Sequence, residues 1–121
     1  EVVARLPGEL SVLAISGTEL ELAARAAGVP VRSEIFADRA YLPSGRLVPR
    51  SVEGAVLHDA EEVAERLVRF VASGLMPVVD GPPIPLAAHS ICVHGDTAGA
   101  VEIARLVRRR LESVGVRIAA Y

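Results

Sequence analysis

Lysine and tryptophan are absent from this chain of 121 residues, cysteine and methionine occur once each, and aromatic residues make up only 3%. With a single thiol, Cys92, no internal disulfide can form, and no charged-then-apolar leader opens the chain, so the cytoplasm is the expected compartment. No apolar run approaches the roughly 18 residues a membrane span needs. A basic block is missing too: 13 arginines against 15 acids leave a net charge of -2. That balance offers no electrostatic footprint for nucleic acid or an anionic membrane. The exclusive use of arginine fits either genome composition or a heat-adapted host, and neither bears on function. Phosphate-binding P-loops, GxGxxG, paired CxxC and HExxH are absent as well, which removes the common nucleotide and zinc motifs.

What is present is apolar: 51% hydrophobic and 23% charged, a composition that excludes disorder. The length suits one domain with a real core. A mean hydropathy of +0.40 is high for a free-standing domain, so some apolar surface is expected to meet a neighbour. The chain opens at Glu1 and its only methionine is Met76, so a processed or truncated polypeptide is expected.

The run Glu9 to Ser16, apolar on both faces, predicts a buried strand. A helix follows from N-cap Thr18 to the stop at Gly28, and Val29 to Ala37 predicts a second strand, giving a parallel βαβ unit. Asp38 to Asp59 holds two prolines, two glycines and six charged side chains, a loop long enough to suggest function. The spacing predicts a helix over Asp59 to Gly74, capped by Asp59, with Val63, Leu67, Phe70 and Val71 on one face. Met76 to Ala88, with four prolines, suits a small hairpin or an irregular excursion; Ser90 to His94 reads as strand, Thr97 to Val114 as helix and Val116 to Ala119 as a last strand. This alternation predicts an α/β fold with a parallel sheet, either a small open sheet or part of a (β/α) barrel.

In such architectures ligands bind at the carboxyl ends of strands. Two polar clusters stand there. Glu34 lies inside the second strand and Asp38, Arg39 and Tyr41 just past it; His94, Gly95, Asp96 and Thr97 follow the strand Ser90 to His94. Gly95 would permit a tight turn whose backbone N–H groups could receive an anion. His94 suits general acid or base work or metal ligation. Arg50 could clamp a carboxylate or phosphate. The plainer alternatives are a surface ion pair for Asp38 and Arg39, N-capping for Asp96 or Thr97, and a solvated Arg50. Glu34 needs a polar pocket or a neighbour such as Arg32, Arg39 or Arg50. His58 and His89 are weak signals, and Cys92 reads as a buried, inert thiol.

At ADRAY (Ala37 to Tyr41), SGRLVPRS (Ser44 to Ser51), EGAVLHD (Glu53 to Asp59) and ICVHGDTAGAV (Ile91 to Val101), the sequence resembles the LamB/YcsF family, the family of the 5-oxoprolinase A-subunit. The resemblance is collinear over nearly the whole chain and corresponds to the carboxyl-terminal half of a member. Departures are modest: Glu53 and Ala98 stand where the family often has proline. The resemblance implies a parallel (β/α) barrel-like fold of the glycoside hydrolase and deacetylase type, of which this single domain, residues 1–121, covers about half. It implies part of an ATP-dependent 5-oxoprolinase opening 5-oxo-L-proline to L-glutamate, with ATP and Mg2+, subunits B and C as partners, and a homo-oligomer left open. A half-barrel is expected to be inactive alone. Matched residue by residue, the implied catalytic set is His94, Asp96, Asp38 and Glu34, and the implied substrate-binding set is Arg39, Tyr41 and Arg50. Two alternatives stand beside it: a metal-dependent deacetylase or amidohydrolase with His94 and Asp96 as ligands, and a non-enzymatic α/β binding module.

Overall fold

The computed structural model describes residues 2–96 and 98–120. A four-residue helix, α1 (Val2–Arg5), precedes β1 (Val12–Ile15), α2 (Glu19–Ala26) and β2 (Val31–Phe36). Then come α3 (Ala60–Ser73), β3 (Leu75–Met76), β4 (Ile84–Pro85), β5 (Ser90–Cys92) and α4 (Ala100–Ser113). The strands β1, β2 and β5 form a parallel sheet in that order, with Ile15 opposite Glu34, Glu34 opposite Ser90 and Phe36 opposite Cys92. The proline-interrupted stretch makes the expected hairpin, β3 against β4.

Strand side chains alternate between two faces, and here the faces differ. Ala14, Ser33 and Ile35 are buried, and Ile35 joins Val63, Leu67, Phe70, Ile103 and Val107 of α3 and α4 in the main core. Leu13, Ile15, Arg32 and Glu34 point the other way, and Leu13 and Ile15 remain exposed. The helices therefore cover one face of the sheet and leave the other open. This corrects the expectation of a first strand buried on both sides: its continuous apolar run is real, but half of it faces outward among the described residues.

The helix α3 forms as its sequence dictates. Asp59 accepts hydrogen bonds from the N–H groups of Glu61 and Glu62 at 2.9 and 3.2 Å, acids occupy the positive first turn, and Gly74 closes it with a φ of 72°. Its buried stripe is Val63, Ala64, Arg66, Leu67 and Phe70, while Val71, expected on that face, is 43% exposed. At α2, Thr18 is the N-cap residue, but its hydroxyl donates backward to the Ile15 carbonyl at 2.6 Å and caps no N–H.

Two boundaries near the end of the chain differ from expectation. The last helix starts at Ala100 behind Gly99 in the left-handed conformation (φ 81°), so Asp96 is not its cap, and Thr97 lies outside the described residues. Val116 to Ala119 forms no strand. β-Branched composition alone does not make a strand; a ladder partner is needed, and the N–H of Val116 instead folds back onto the carbonyl of Leu111.

Candidate functional site

The carboxyl ends of β2 and β5 meet at Asp38 and His94. Asp38 is fully buried, and both of its carboxylate oxygens face His94: Oδ1 lies 2.8 Å from Nδ1 and Oδ2 accepts the His94 backbone N–H at 3.2 Å. With Asp38 as a carboxylate, which can only accept, the tautomer assigned to His94 is the one with Nδ1 as donor, and Nε2 takes no part in the contact. The imidazole is one-fifth exposed and stacks on Phe36 with ring centroids 5.1 Å apart. It is thereby fixed in plane as well as in rotation.

The backbone around Asp38 is held at every step. Ala37 N–H donates to the Cys92 carbonyl, and Leu57 N–H donates to the Asp38 carbonyl at 2.8 Å. The guanidinium of Arg66, reaching up from α3, donates to the carbonyls of Ala37 (3.0 Å) and Arg39 (2.7 Å). Tyr41 is buried beneath that guanidinium, 5.5 Å from ring centre to Cζ, and its hydroxyl accepts the Phe36 N–H. Burial pushes the Tyr41 phenol up and the Arg66 guanidinium down from their ordinary values, with the Arg66 charge pulling against the shift in Tyr41.

Arg39 is buried as well. Its Nη2 donates to the Val48 carbonyl, and its Nε is buried without a hydrogen-bond partner. Asp38 and Arg39 are therefore not a surface ion pair. Both Arg39 and Tyr41, implied substrate ligands, sit inside the loop and brace it.

Glu34 lies on the open face, where the Ser90 hydroxyl donates to its carboxylate at 2.7 Å. Of the arginines expected beside it, Arg39 turns to Val48 and Arg50 to Asp96. Cys92 lies opposite Phe36 on the same sheet and is half-buried rather than buried as expected; burial, with the charges of Glu34 and Asp38, pushes its thiol up. Arg50 and Asp96 form a 3.1 Å pair between two exposed side chains, and the hydrogen bond from Arg50 holds the Asp96 carboxyl below its ordinary value. Gly95 does not use a positive φ, and a Cβ there would meet nothing within 4 Å, so the turn does not require glycine.

Sequence reasoning missed two groups. Arg66 lies three residues after Val63 and four before Phe70, on the buried stripe of α3, and that spacing was the available signal. The second is a polar knot: Glu21 accepts from the Ser33 hydroxyl, from Arg25 at 3.0 Å and from Gly17 N–H at 2.7 Å. Burial opposes its charge, but these donors together hold its carboxyl below the ordinary 4.5. His89, which showed no partner in the sequence, accepts the Ser33 N–H on Nδ1 at 3.0 Å, supplying the acceptor that β5 begins too late to offer.

A cleft of about 440 Å³ lies elsewhere, between β5, α4 and the segment after it, where Ile91, Val107, Val116 and Ile118 line it. Asp38 and His94 take no part in it. It is lined mainly by apolar side chains, with His89, Arg108 and Arg117 among them, whereas Asp38 and His94 stand at the polar strand ends. Among the described residues no three or more His, Cys, Asp or Glu side chains gather as a metal site would require, and no helix is long and apolar enough to cross a membrane.

The LamB/YcsF family profile matches residues 1–121. The A-subunit of 5-oxoprolinase from Streptomyces avermitilis is 51% identical over 112 residues, which are 93% of this chain and 45% of that protein. Its counterpart from Rhodopseudomonas palustris is 47% identical over the same share of this chain and 44% of its own length. The crystal structure of a lactam utilization protein from Thermus thermophilus superposes with a TM-score of 0.86 at 42% identity, over 99% of this chain and 47% of that one. The chain thus spans about half the length of the relatives it matches.

Proposed function

The chain belongs to the LamB/YcsF family, and from that premise we propose that it forms the carboxyl-terminal half of a (β/α) barrel in an ATP-dependent 5-oxoprolinase. Its contribution is the Asp38–His94 pair. The observation that carries this reading is that pair's geometry: a buried carboxylate fixes the imidazole through Nδ1 at the carboxyl ends of two parallel strands, where such folds do their chemistry.

A lactam amide is a poor electrophile, and ATP would supply activation by phosphorylating the amide oxygen. Water must then add to the ring carbon as a proton leaves it, the carbon–nitrogen bond must break as nitrogen gains a proton, and the acyl phosphate so formed must be hydrolysed by a second water to release phosphate and the free carboxylate. His94 is oriented for both proton movements: Nε2 takes the proton from water and returns it to the ring nitrogen, while Asp38 stabilises the transient imidazolium. Arg50 carries an exposed guanidinium whose partner, Asp96, can be exchanged for a carboxylate or phosphate. Glu34 lies on the open sheet face, which in a closed barrel becomes the interior. Arg39 and Tyr41 shape the loop from within. Magnesium commonly takes most of its ligands from phosphates and water, so an ATP-bound ion fits a chain whose described residues offer no three-ligand cluster. The deacetylase alternative, with His94 and Asp96 as ligands, is not favoured by the geometry, because Asp96 turns to Arg50.

Subunits B and C are the proposed partners and the cytoplasm the proposed location. The test is 5-oxo-L-proline-dependent ATP hydrolysis and glutamate formation by the full-length protein in complex with B and C. Turnover that collapses in His94→Asn while the complex still assembles supports the reading. Undiminished turnover in that variant, or ATP hydrolysis indifferent to the lactam, overturns it.

A further inference from the structure

We propose that Arg66 is a positioning residue that sets the His94 imidazole through the backbone of Asp38. The proposal rests on the reading of Asp38 and His94 as the reacting pair, and it concerns a side chain on a different element, α3. Arginine is rarely buried without ionic or dense hydrogen-bond partners. Here Arg66 is 8% exposed, and its two terminal nitrogens donate to the carbonyls of Ala37 and Arg39, the residues on either side of Asp38. A planar fork bonded to both flanking peptides fixes the rotation of the Asp38 backbone between them, which a single point charge could not do. The Asp38 carbonyl is separately held by Leu57 N–H, and Tyr41 packs under the guanidinium while its hydroxyl accepts from Phe36.

The direction in which the Asp38 carboxylate leaves the chain is therefore determined from α3. His94 reads that direction twice, through its backbone N–H and its Nδ1. The chain of contacts runs from Arg66 to the Ala37 and Arg39 carbonyls, to Asp38, to His94. The guanidinium is buried and its terminal nitrogens donate to those carbonyls, so its effect on the reaction is through placement.

The experiment uses the full-length protein, by itself and assembled with its partner subunits. Arg66→Met removes both donors, Arg66→Lys keeps the charge but not the fork, and Arg69→Met on the same helix serves as control, since Arg69 is exposed and pairs with Glu65. The first readout is the downfield imidazole Nδ1–H resonance of His94, identified by its loss in His94→Asn. Circular dichroism establishes that each variant is folded. The expected result is loss of that resonance, or exchange with water about 10-fold faster, in both Arg66 variants and not in Arg69→Met; kcat falls about 10-fold with KM within about twofold, as misplacement of a reacting group predicts. If Arg66→Met does not fold, Arg66→Lys carries the comparison. An intact His94 resonance in a folded Arg66 variant overturns the proposal. Should the resonance respond while the unsubstituted complex shows no lactam-dependent ATP hydrolysis, the positioning stands and the functional reading fails, so the two are distinguishable.

Discussion

Asp38 grips His94 at two points, the backbone N–H with one carboxylate oxygen and the imidazole Nδ1 with the other. Orientation of the ring and attachment of the β5 end to the β2 end are thus performed by one side chain. Removing charge from Asp38 should disturb both.

Asp38→Asn keeps the shape but offers one accepting oxygen in place of two. The imidazole loses its accepting carboxylate, and under the proposed function lactam-dependent ATP hydrolysis should drop by about 100-fold or more in kcat. Steady-state kinetics on the assembled complex measures it; a loss confined to KM would contradict the assigned role.

Arg50→Gln should behave differently. Both members of the Arg50–Asp96 pair are exposed, so the melting temperature should not move, because such pairs contribute little to stability. If Arg50 trades Asp96 for an anionic substrate group, KM for that substrate should rise about 10-fold at low salt and less at high salt. Calorimetry and kinetics at two ionic strengths check both halves.

The Glu21 knot predicts a pH dependence. Its carboxyl is held below the ordinary 4.5 in the folded protein, so the stabilisation is complete above that value and is lost as the pH falls through the lower, folded-state value. Urea unfolding between neutral pH and about pH 3 should show the acid-side decline, and Glu21→Gln should flatten it while lowering stability at neutral pH.

Asp59 accepts from two N–H groups at the start of α3. Asp59→Ala should cost about 1 kcal/mol of unfolding free energy, read from the urea midpoint at constant slope. Gly95→Ala, at a position with open space and no positive φ, should leave stability unchanged.

How far the sequence foretold this structure depends on how local each determinant is. Helix α3 was legible because its cap, first-turn acids, apolar stripe and terminal glycine all lie within sixteen consecutive residues, Asp59 to Gly74. The pairing of two strand ends was legible as position, since Asp38 and His94 each follow an apolar run. Their direct contact was not, because it depends on β5 lying beside β2 in the sheet. Arg66 illustrates the limit best. Its spacing marks it as inward-facing, yet a buried guanidinium is acceptable only because a distant loop presents two carbonyls to it. The failed expectation at Val116 to Ala119 has the same origin, since composition cannot say whether a neighbouring strand is there to pair with.

The tie between Asp38 and His94 spans 56 positions of chain, and α3 and the β3–β4 hairpin are threaded between its ends. Such a contact should close late, after the intervening elements have found their places, because the entropy of ordering a long loop must be met before the contact can compensate it. A measured ring orientation of His94 is therefore also a gauge of folding completeness, and a partially assembled chain should be silent in that signal before it has lost its helices.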